Sequence, residues 1–186
     1  MHGLNFGWHL WRSGSQSLAI VARPDALHYN ASENAALAGM TTKLATVMGG
    51  IQWRWRFQRH LSLNAMALTD MLRRNDGSIL SIGLNSPWRA GRWFIVPSVA
   101  VEWQSSNYVN YYFGVTPAEA QPGRPVYTGK STFNAKAGVS FGQHFGRHFT
   151  AMAGAYMTRF GSGVTASPIV GHTSTFSFLV GLYYHF

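Results

Sequence analysis

The chain has 186 residues, of which 11% are charged, 15% are aromatic and 20 are glycine, with no cysteine. Soluble domains carry about 25% charged residues, so much of this chain's outer surface is expected to face something other than water. No apolar run approaches the roughly 18 residues that a membrane helix needs, which leaves β-strands as the candidate membrane-crossing elements. The lack of cysteine excludes disulfides and thiolate metal sites.

The balance of 15 basic to 6 acidic residues gives a net charge of +9. A basic balance is also typical of nucleic-acid-binding proteins. Here the basic residues fall mainly at the ends of segments or alternate with aromatic residues, and there is no run of Lys and Arg. We therefore expect no nucleic-acid partner.

Alternation of apolar and polar residues with a period of two predicts nine strands, which is the pattern of transmembrane β-strands. In chain order they are 4–11, 17–23, 51–57, 61–72, 78–88, 93–104, 133–142, 148–160 and 175–186. The pattern is weaker in 61–72 and 78–88, and in 148–160 the outward face stays undecided. The residues expected on the outer, lipid-facing surface include Trp93, Val99, Phe133, Val139, Phe178 and Leu182.

The eight connections between these strands alternate in length. Longer connections at 24–39, 73–77, 107–130 and 161–172 alternate with short ones at 12–16, 58–60, 89–91 and 146–147. Outer-membrane barrels have short periplasmic turns and longer extracellular loops, so we expect the short turns on the periplasmic side. Each short turn contains or adjoins an arginine. Solvated turn charge is the simplest interpretation, with lipid headgroups or an anionic periplasmic partner as alternatives.

The last strand ends on alternating aromatic residues. Tyr184 and Phe186 close a segment whose even positions are all apolar or aromatic. This ending resembles the C-terminal signal by which the barrel-assembly machinery recognises outer-membrane proteins. The alternative is an ordinary buried edge strand that happens to end the chain.

Two further stretches carry a family resemblance. The first comprises Tyr111, Tyr112, Phe113, Gly114, Val115, Ala118 and Ala120, and the second Ser167, Pro168, Ile169 and Val170. Both resemble elements of the MltA-interacting protein (MipA/OmpV) family, although Ala166 stands where the family has Asp. The resemblance implies a protein of the bacterial outer membrane that serves as a scaffold for peptidoglycan-remodelling enzymes, a lytic transglycosylase and a penicillin-binding protein. It also implies adhesin-like roles in some members.

The fold expected from these patterns is all-β, an antiparallel up-and-down transmembrane β-barrel forming one domain over residues 1–186. Family members begin with a signal peptide and carry more strands, whereas this chain starts directly on a strand pattern. Bacterial barrels have even strand numbers, and nine is odd. We therefore expect a partial barrel that lacks two or three N-terminal strands and has an open edge at 4–11.

No catalytic, cofactor-binding or metal-binding residue is predicted, and the chain is not expected to be an enzyme. The eight histidines form no HExxH or comparable metal frame. A Ser140–His144–Glu102 trio is one of many that could form the site of a lipid-modifying barrel enzyme, and nothing in the sequence selects it. A small-solute channel is the stronger alternative, because Gln52, Arg54, Arg56 and Lys136 fall on predicted lumen faces. These residues would otherwise pair with Glu102 in a closed interior.

The long connection at 107–130 is rich in aromatic residues. Tyr108, Tyr111, Tyr112 and Phe113 are too apolar to extend into water, since burial of each large side chain contributes about 1.5–3 kcal/mol. We expect them to pack over the lumen as a partial plug. The alternative is that they extend the preceding strand above the membrane.

Overall fold

The structure is a computed structural model that describes residues 6–32, 34, 37–146 and 148–184. Its elements are ten strands and two short helices. The strands are β1 (Phe6–Ser13), β2 (Gln16–Asp25), β3 (Thr46–Gln58), β4 (Leu61–Asp70), β5 (Ser78–Asn85), β6 (Trp88–Ala90), β7 (Trp93–Gln104), β8 (Thr132–Phe145), β9 (Phe149–Arg159) and β10 (Ser174–Tyr184). The helices are α1 (Ser106–Phe113), after β7, and α2 (Ser162–Thr165), after β9.

Each long strand pairs antiparallel with the next, in the order β1-β2-β3-β4-β5-β7-β8-β9-β10, while β6 pairs with β7 alone. All nine predicted strands are present, and the predicted up-and-down topology is confirmed. Because neighbouring strands run in opposite directions, all short connections lie at one end of the sheet and all long connections at the other. We call these the short-turn end and the long-loop end.

The predicted strand at 78–88 is wrong in one detail, because it is interrupted at residues 86–87. Proline has no N–H to donate to a ladder, and β5 ends two residues before Pro87. Pairing resumes at β6, where Arg89 lies opposite Phe94. The tight turn therefore falls at 91–92 rather than 89–91, and Gly91 supplies its positive φ of 59°.

The predicted strand at 61–72 ends two residues early, at Asp70. The carboxylate of Asp70 accepts hydrogen bonds from the backbone N–H groups of Leu72, Arg74 and Asn75, at 3.1, 2.6 and 2.7 Å. A side chain that binds the following backbone in this way competes with the strand ladder. The chain consequently turns at this point.

The two faces of the sheet are those that the alternation predicts. All six residues assigned to the outer surface are exposed, from Val139 at 38% to Phe178 at 80%. In β9 the outward residues include Ala153, Ala155 and Met157, while Thr150 and Tyr156 lie inward, which settles the face that the sequence left undecided. The outer face is therefore apolar over most of the sheet.

The inner face has an apolar part and a polar part. The apolar part is a buried cluster that β2 to β5 form with α1 and α2: Ala19, Val21, Met48, Met66, Leu68, Ile79, Tyr108, Val109, Tyr112 and Val164. Asn64 and Ser81 on the same strands are buried and polar. The inner faces of β7 to β9 carry buried polar residues instead: Glu102, Gln104, Asn134, Ser140 and Thr150. Helix α1 thus lies against one side of the interior and leaves the polar side beneath it.

Helix α1 occupies part of the connection that was expected to be a loop. Ser105, the N-cap residue before α1, accepts a hydrogen bond from the N–H of Tyr108 through its side chain. Tyr108, Val109 and Tyr112 share one face and are buried against the interior, so the expected plug is confirmed and the strand-extension alternative is wrong. No helix in the described part of the chain is long and apolar enough to span a membrane.

Within the described residues, β1 pairs only with β2 and β10 only with β9, so the expected open edge at the first strand is confirmed. Leu4, Asn5, His185 and Phe186 lie outside those residues. The role of Tyr184 and Phe186 in assembly stays a prediction.

Candidate functional site

The two stretches that carry the family resemblance meet at the long-loop end. The hydroxyl of Ser167 donates a 2.6 Å hydrogen bond to the carbonyl of Phe113, which is 54 residues away in the chain. Val170 packs beside the buried cluster that contains Tyr112. The structure therefore joins these stretches into one plug over the interior. A functional role for these residues stays a prediction.

Tyr112 and Tyr111 bind the plug to the segment before β3. The Tyr112 hydroxyl donates to the carbonyl of Leu44 at 3.1 Å, and the N–H of Leu44 donates to the Tyr111 hydroxyl at 3.2 Å. The ammonium group of Lys43 lies 5.1 Å from the centre of the Tyr111 ring, within cation–π range. The long connection between β2 and β3 is thus held against α1.

The remaining residues of the two stretches differ in burial. Val115 is buried and exchanges backbone hydrogen bonds with Tyr127, at 2.8 and 3.0 Å. Gly114 ends α1, and a Cβ there would lie 2.3 Å from the carbonyl oxygen of Asn110. Ala118 is exposed, whereas four others are partly buried: Ala120, Pro168, Ile169 and Val170.

Glu119 is a residue whose part in this plug the sequence analysis missed. Its carboxylate accepts hydrogen bonds from the N–H of Thr41 at 2.8 Å and from the N–H and hydroxyl of Thr116 at 3.0 and 2.8 Å. Burial alone would raise the pKa of Glu119, but these hydrogen bonds outweigh it and lower the pKa to about 2. The Thr116-x-x-Glu119 spacing is that of a capping box, which is the local signal that was available.

Arg124 completes the link between the two long connections. Its guanidinium donates to the carbonyl of Glu119 at 3.0 and 2.7 Å and to the carbonyl of Ala38 at 2.9 Å. Ala38 lies before β3 and Glu119 lies after α1, so one arginine bridges both connections. The long-loop end is a packed, hydrogen-bonded unit.

Beneath the plug, a charged cluster crosses the interior. The carboxylate of Glu102 accepts hydrogen bonds from Lys136 at 2.7 Å and from the side-chain amide of Gln104 at 3.2 Å. Arg23 reaches the same carboxylate from β2 on the opposite side, at 4.0 Å. Of the predicted lumen residues, Lys136 therefore pairs with Glu102, whereas Gln52 donates to Asn64 at 2.9 Å.

The Ser140–His144–Glu102 trio is not assembled. The Ser140 hydroxyl lies 2.5 Å from the hydroxyl of Tyr156, and His144 Nδ1 lies 2.8 Å from the hydroxyl of Thr150. Ser140 and His144 are four residues apart on one strand, which separates them by about 13 Å. Among the residues that the structure describes, no group of three or more His, Asp or Glu side chains is placed to hold a metal ion.

Arginines gather at the short-turn end. Arg12, Arg54 and Arg56 line one basin of about 270 Å³ together with His9, and Ser62 lies on its wall. Arg59, Arg89 and Arg92 lie in or beside the other described short turns, while Arg147 lies outside the described residues. The five acidic residues that the structure describes occupy the long connections or the strand ends beside them: Asp25, Asp70, Asp76, Glu102 and Glu119. The basin therefore carries positive charge without a carboxylate.

Exposed tryptophans surround the same end: Trp11, Trp55, Trp88 and Trp93. Tryptophan is enriched where a membrane meets water, because its ring is apolar and its N–H is polar. Trp93 stacks on Phe141 with ring centres 5.0 Å apart, which holds part of this belt in place. An aromatic belt is expected at each edge of an outer-membrane sheet.

An up-and-down antiparallel sheet with an apolar outer face, a polar interior and an aromatic belt is the architecture of outer-membrane β-sheet proteins. The model of the family described as MltA-interacting protein MipA matches residues 1–186, and the chain belongs to that family. This confirms the resemblance found in the two stretches.

Three relatives place the family in the outer membrane or name a partner. The MltA-interacting protein of Escherichia coli K12 is 25% identical over 187 residues, covering 99% of this chain and 75% of its own length. Omp26La of Vibrio anguillarum is 34% identical over 119 residues, or 63% of this chain and 46% of its own. OmpV of Vibrio cholerae is 29% identical over 117 residues, with the same coverage. No solved structure matches the chain significantly. The chain is an outer-membrane protein, as predicted.

Proposed function

We propose that the chain is a non-enzymatic scaffold that docks a lytic transglycosylase on its short-turn end. The observation that carries the proposal is the basin of Arg12, Arg54 and Arg56, which has no carboxylate among its lining residues. A relative named MltA-interacting protein supports the class of partner. A penicillin-binding protein is the second partner that the family resemblance implies.

The basin suits an acidic partner surface for physical reasons. Arginine presents five donors in a planar fork and binds carboxylates in pairs of hydrogen bonds. Three like charges in one basin repel each other, and an acidic partner would offset that repulsion. Complementary charge also speeds association and makes binding sensitive to salt. A scaffold that recruits an enzyme to the membrane needs these properties.

Neutralising the basin is expected to weaken capture of the transglycosylase. In a triple variant, Arg12→Gln, Arg54→Gln and Arg56→Gln, the loss of three exposed charge pairs predicts an affinity about tenfold lower. Binding of the purified enzyme to immobilised protein, measured at several salt concentrations, gives this value. The salt dependence should also become shallower.

The matched control removes three basic residues from the other end, in the variants Arg73→Gln, Lys130→Gln and Arg159→Gln. It should capture the enzyme as well as the native chain does. Equal capture by both triple variants would contradict the docking proposal. Normal capture combined with poor membrane insertion of the first variant would show that the arginines bind lipid headgroups instead.

The proposal also requires that the short-turn end faces the periplasm. The chain has no cysteine, so a single introduced thiol reports its own location. A thiol at exposed Gln121, in the connection after α1, should react with a membrane-impermeant maleimide on intact cells. A thiol at exposed Arg59, in the turn between β3 and β4, should react only after the cells are opened. The reverse pattern would invert the topology and move the docking surface to the long loops.

A further inference from the structure

A cavity of about 400 Å³ lies beneath α1 on the polar side of the interior. Side chains from β2, β7 and β8 line it, and Tyr108 and Phe113 of α1 lie at its long-loop side. Ligand-binding cavities measure about 300–1,000 Å³ and combine apolar walls with a few fixed polar groups. The size therefore suits a small solute.

Two buried side chains that line this cavity carry polar atoms without a hydrogen-bond partner among the described residues. Gln104 is 8% exposed and its Oε1 atom has no hydrogen-bond partner, while Asn134 is 1% exposed and its Nδ2 atom has none. Both residues line the cavity. Buried polar atoms are almost always hydrogen-bonded in folded proteins, so an acceptor and a donor here call for a partner that supplies both groups.

One cation of the cavity, the guanidinium of Arg23, makes no hydrogen bond to any of the described residues. Lys136 lies within hydrogen-bond distance of Glu102, at 2.7 Å, whereas Arg23 approaches the same carboxylate only to 4.0 Å. That distance is too long for a hydrogen bond, so within the described part of the chain the Arg23 guanidinium has N–H donors left for another anion. Asp25, at the cavity edge, accepts a hydrogen bond from the Tyr108 hydroxyl at 2.7 Å.

We propose that this cavity binds a small zwitterion the size of an amino acid or dipeptide. Its carboxylate would bind the Arg23 guanidinium and Asn134 Nδ2. Its ammonium group would bind Gln104 Oε1 and a neighbouring carboxylate of the cavity. This site is independent of the arginine basin, which lies at the other end of the strands.

The test uses the folded 186-residue chain and calorimetry with three probes. The probes are alanylalanine, its N-acetyl derivative without the ammonium group, and its C-terminal amide without the carboxylate. Alanylalanine should bind at least about tenfold more tightly than either derivative, since each lost charged hydrogen bond costs roughly that factor. Equal binding of the three probes, or no binding of alanylalanine, would overturn the proposal.

Two variants locate the binding. Arg23→Gln should weaken alanylalanine binding by at least about tenfold through the lost charged hydrogen bond, while Arg159→Gln, which removes a charge from outside the cavity lining, should leave it unchanged. Ala100→Leu fills the cavity without removing a polar group and should also abolish binding, which keeps the test decisive if Arg23→Gln folds poorly. Unchanged binding in Ala100→Leu would place the solute elsewhere and overturn the assignment.

Discussion

Replacing Tyr112 with alanine is expected to release α1 from the interior and to lower the free energy of unfolding by about 3–5 kcal/mol, the range for buried aromatic residues. Tyr112 is 0% exposed. Its ring centre lies 5.0 Å from that of Tyr108 and 4.8 Å from that of Tyr111. The substitution removes this packing and the hydrogen bond to Leu44 together.

Chemical unfolding of the purified protein measures the loss of stability, and limited trypsin digestion shows where it occurs. Release of α1 should speed cleavage after Lys130 in the connection before β8, whereas Arg124 is followed by Pro125 and is not a trypsin site. The control is Asn107→Ala, on the exposed side of the same helix, which should change stability by less than about 1 kcal/mol. Equal trypsin resistance in the native chain and the Tyr112→Ala variant would show that α1 is not held by its buried face.

The strands could be predicted from the sequence because each of their residues faces one of two different environments. Trp93, Val99 and Val101 are exposed on the apolar face of β7. Glu102, the residue after Val101, is buried. Residues that face outward and residues that face the interior alternate along the strand, so the sequence shows a period of two. The alternation of short and long connections was an independent check on the predicted strands, because successive connections of an antiparallel meander lie at opposite ends of the sheet.

The plug could not be predicted in detail because distant contacts stabilise it. Helix α1 has eight residues, fewer than an isolated helix needs, so its stability comes from packing. The Tyr108 hydroxyl binds Asp25, 83 residues away, and Glu119 binds Thr41, 78 residues away. The secondary-structure propensity of a short segment cannot predict partners that lie so far away in the chain.

The arginines of the basin were visible in the sequence, but their grouping was not. Arg12 alone suggested solvated turn charge, whereas Arg54 and Arg56 were predicted to face the lumen from a strand. The register places Arg54 opposite Ser17 and Arg12 opposite the same Ser17, so two strands bring their arginines to either side of β2. Arg56 joins them through a 3.2 Å hydrogen bond to the carbonyl of Gly14. The pairing of strands therefore brings the arginine beside one turn and two arginines of a strand into one basin.

Introducing arginine at Val99 should lower the free energy of unfolding in a lipid bilayer by about 2–4 kcal/mol, the cost of a charge on the lipid face near the middle of a strand. Val99 lies midway along β7 and is 56% exposed on the outer face. An arginine there has no described carboxylate beside it, since Val99 lies opposite Leu84 and Ala137 on the neighbouring strands. Urea unfolding of the protein in lipid vesicles gives the value.

Two outcomes of this substitution distinguish lipid from water at the outer face. If lipid covers β7, Val99→Leu should be nearly neutral and Val99→Arg costly, because only the charge is disfavoured there. If water covers it, Val99→Arg should change stability by no more than about 0.5 kcal/mol, as at ordinary protein surfaces. That second result would contradict the membrane orientation of β7, because the 56% exposure of Val99 would then be exposure to solvent.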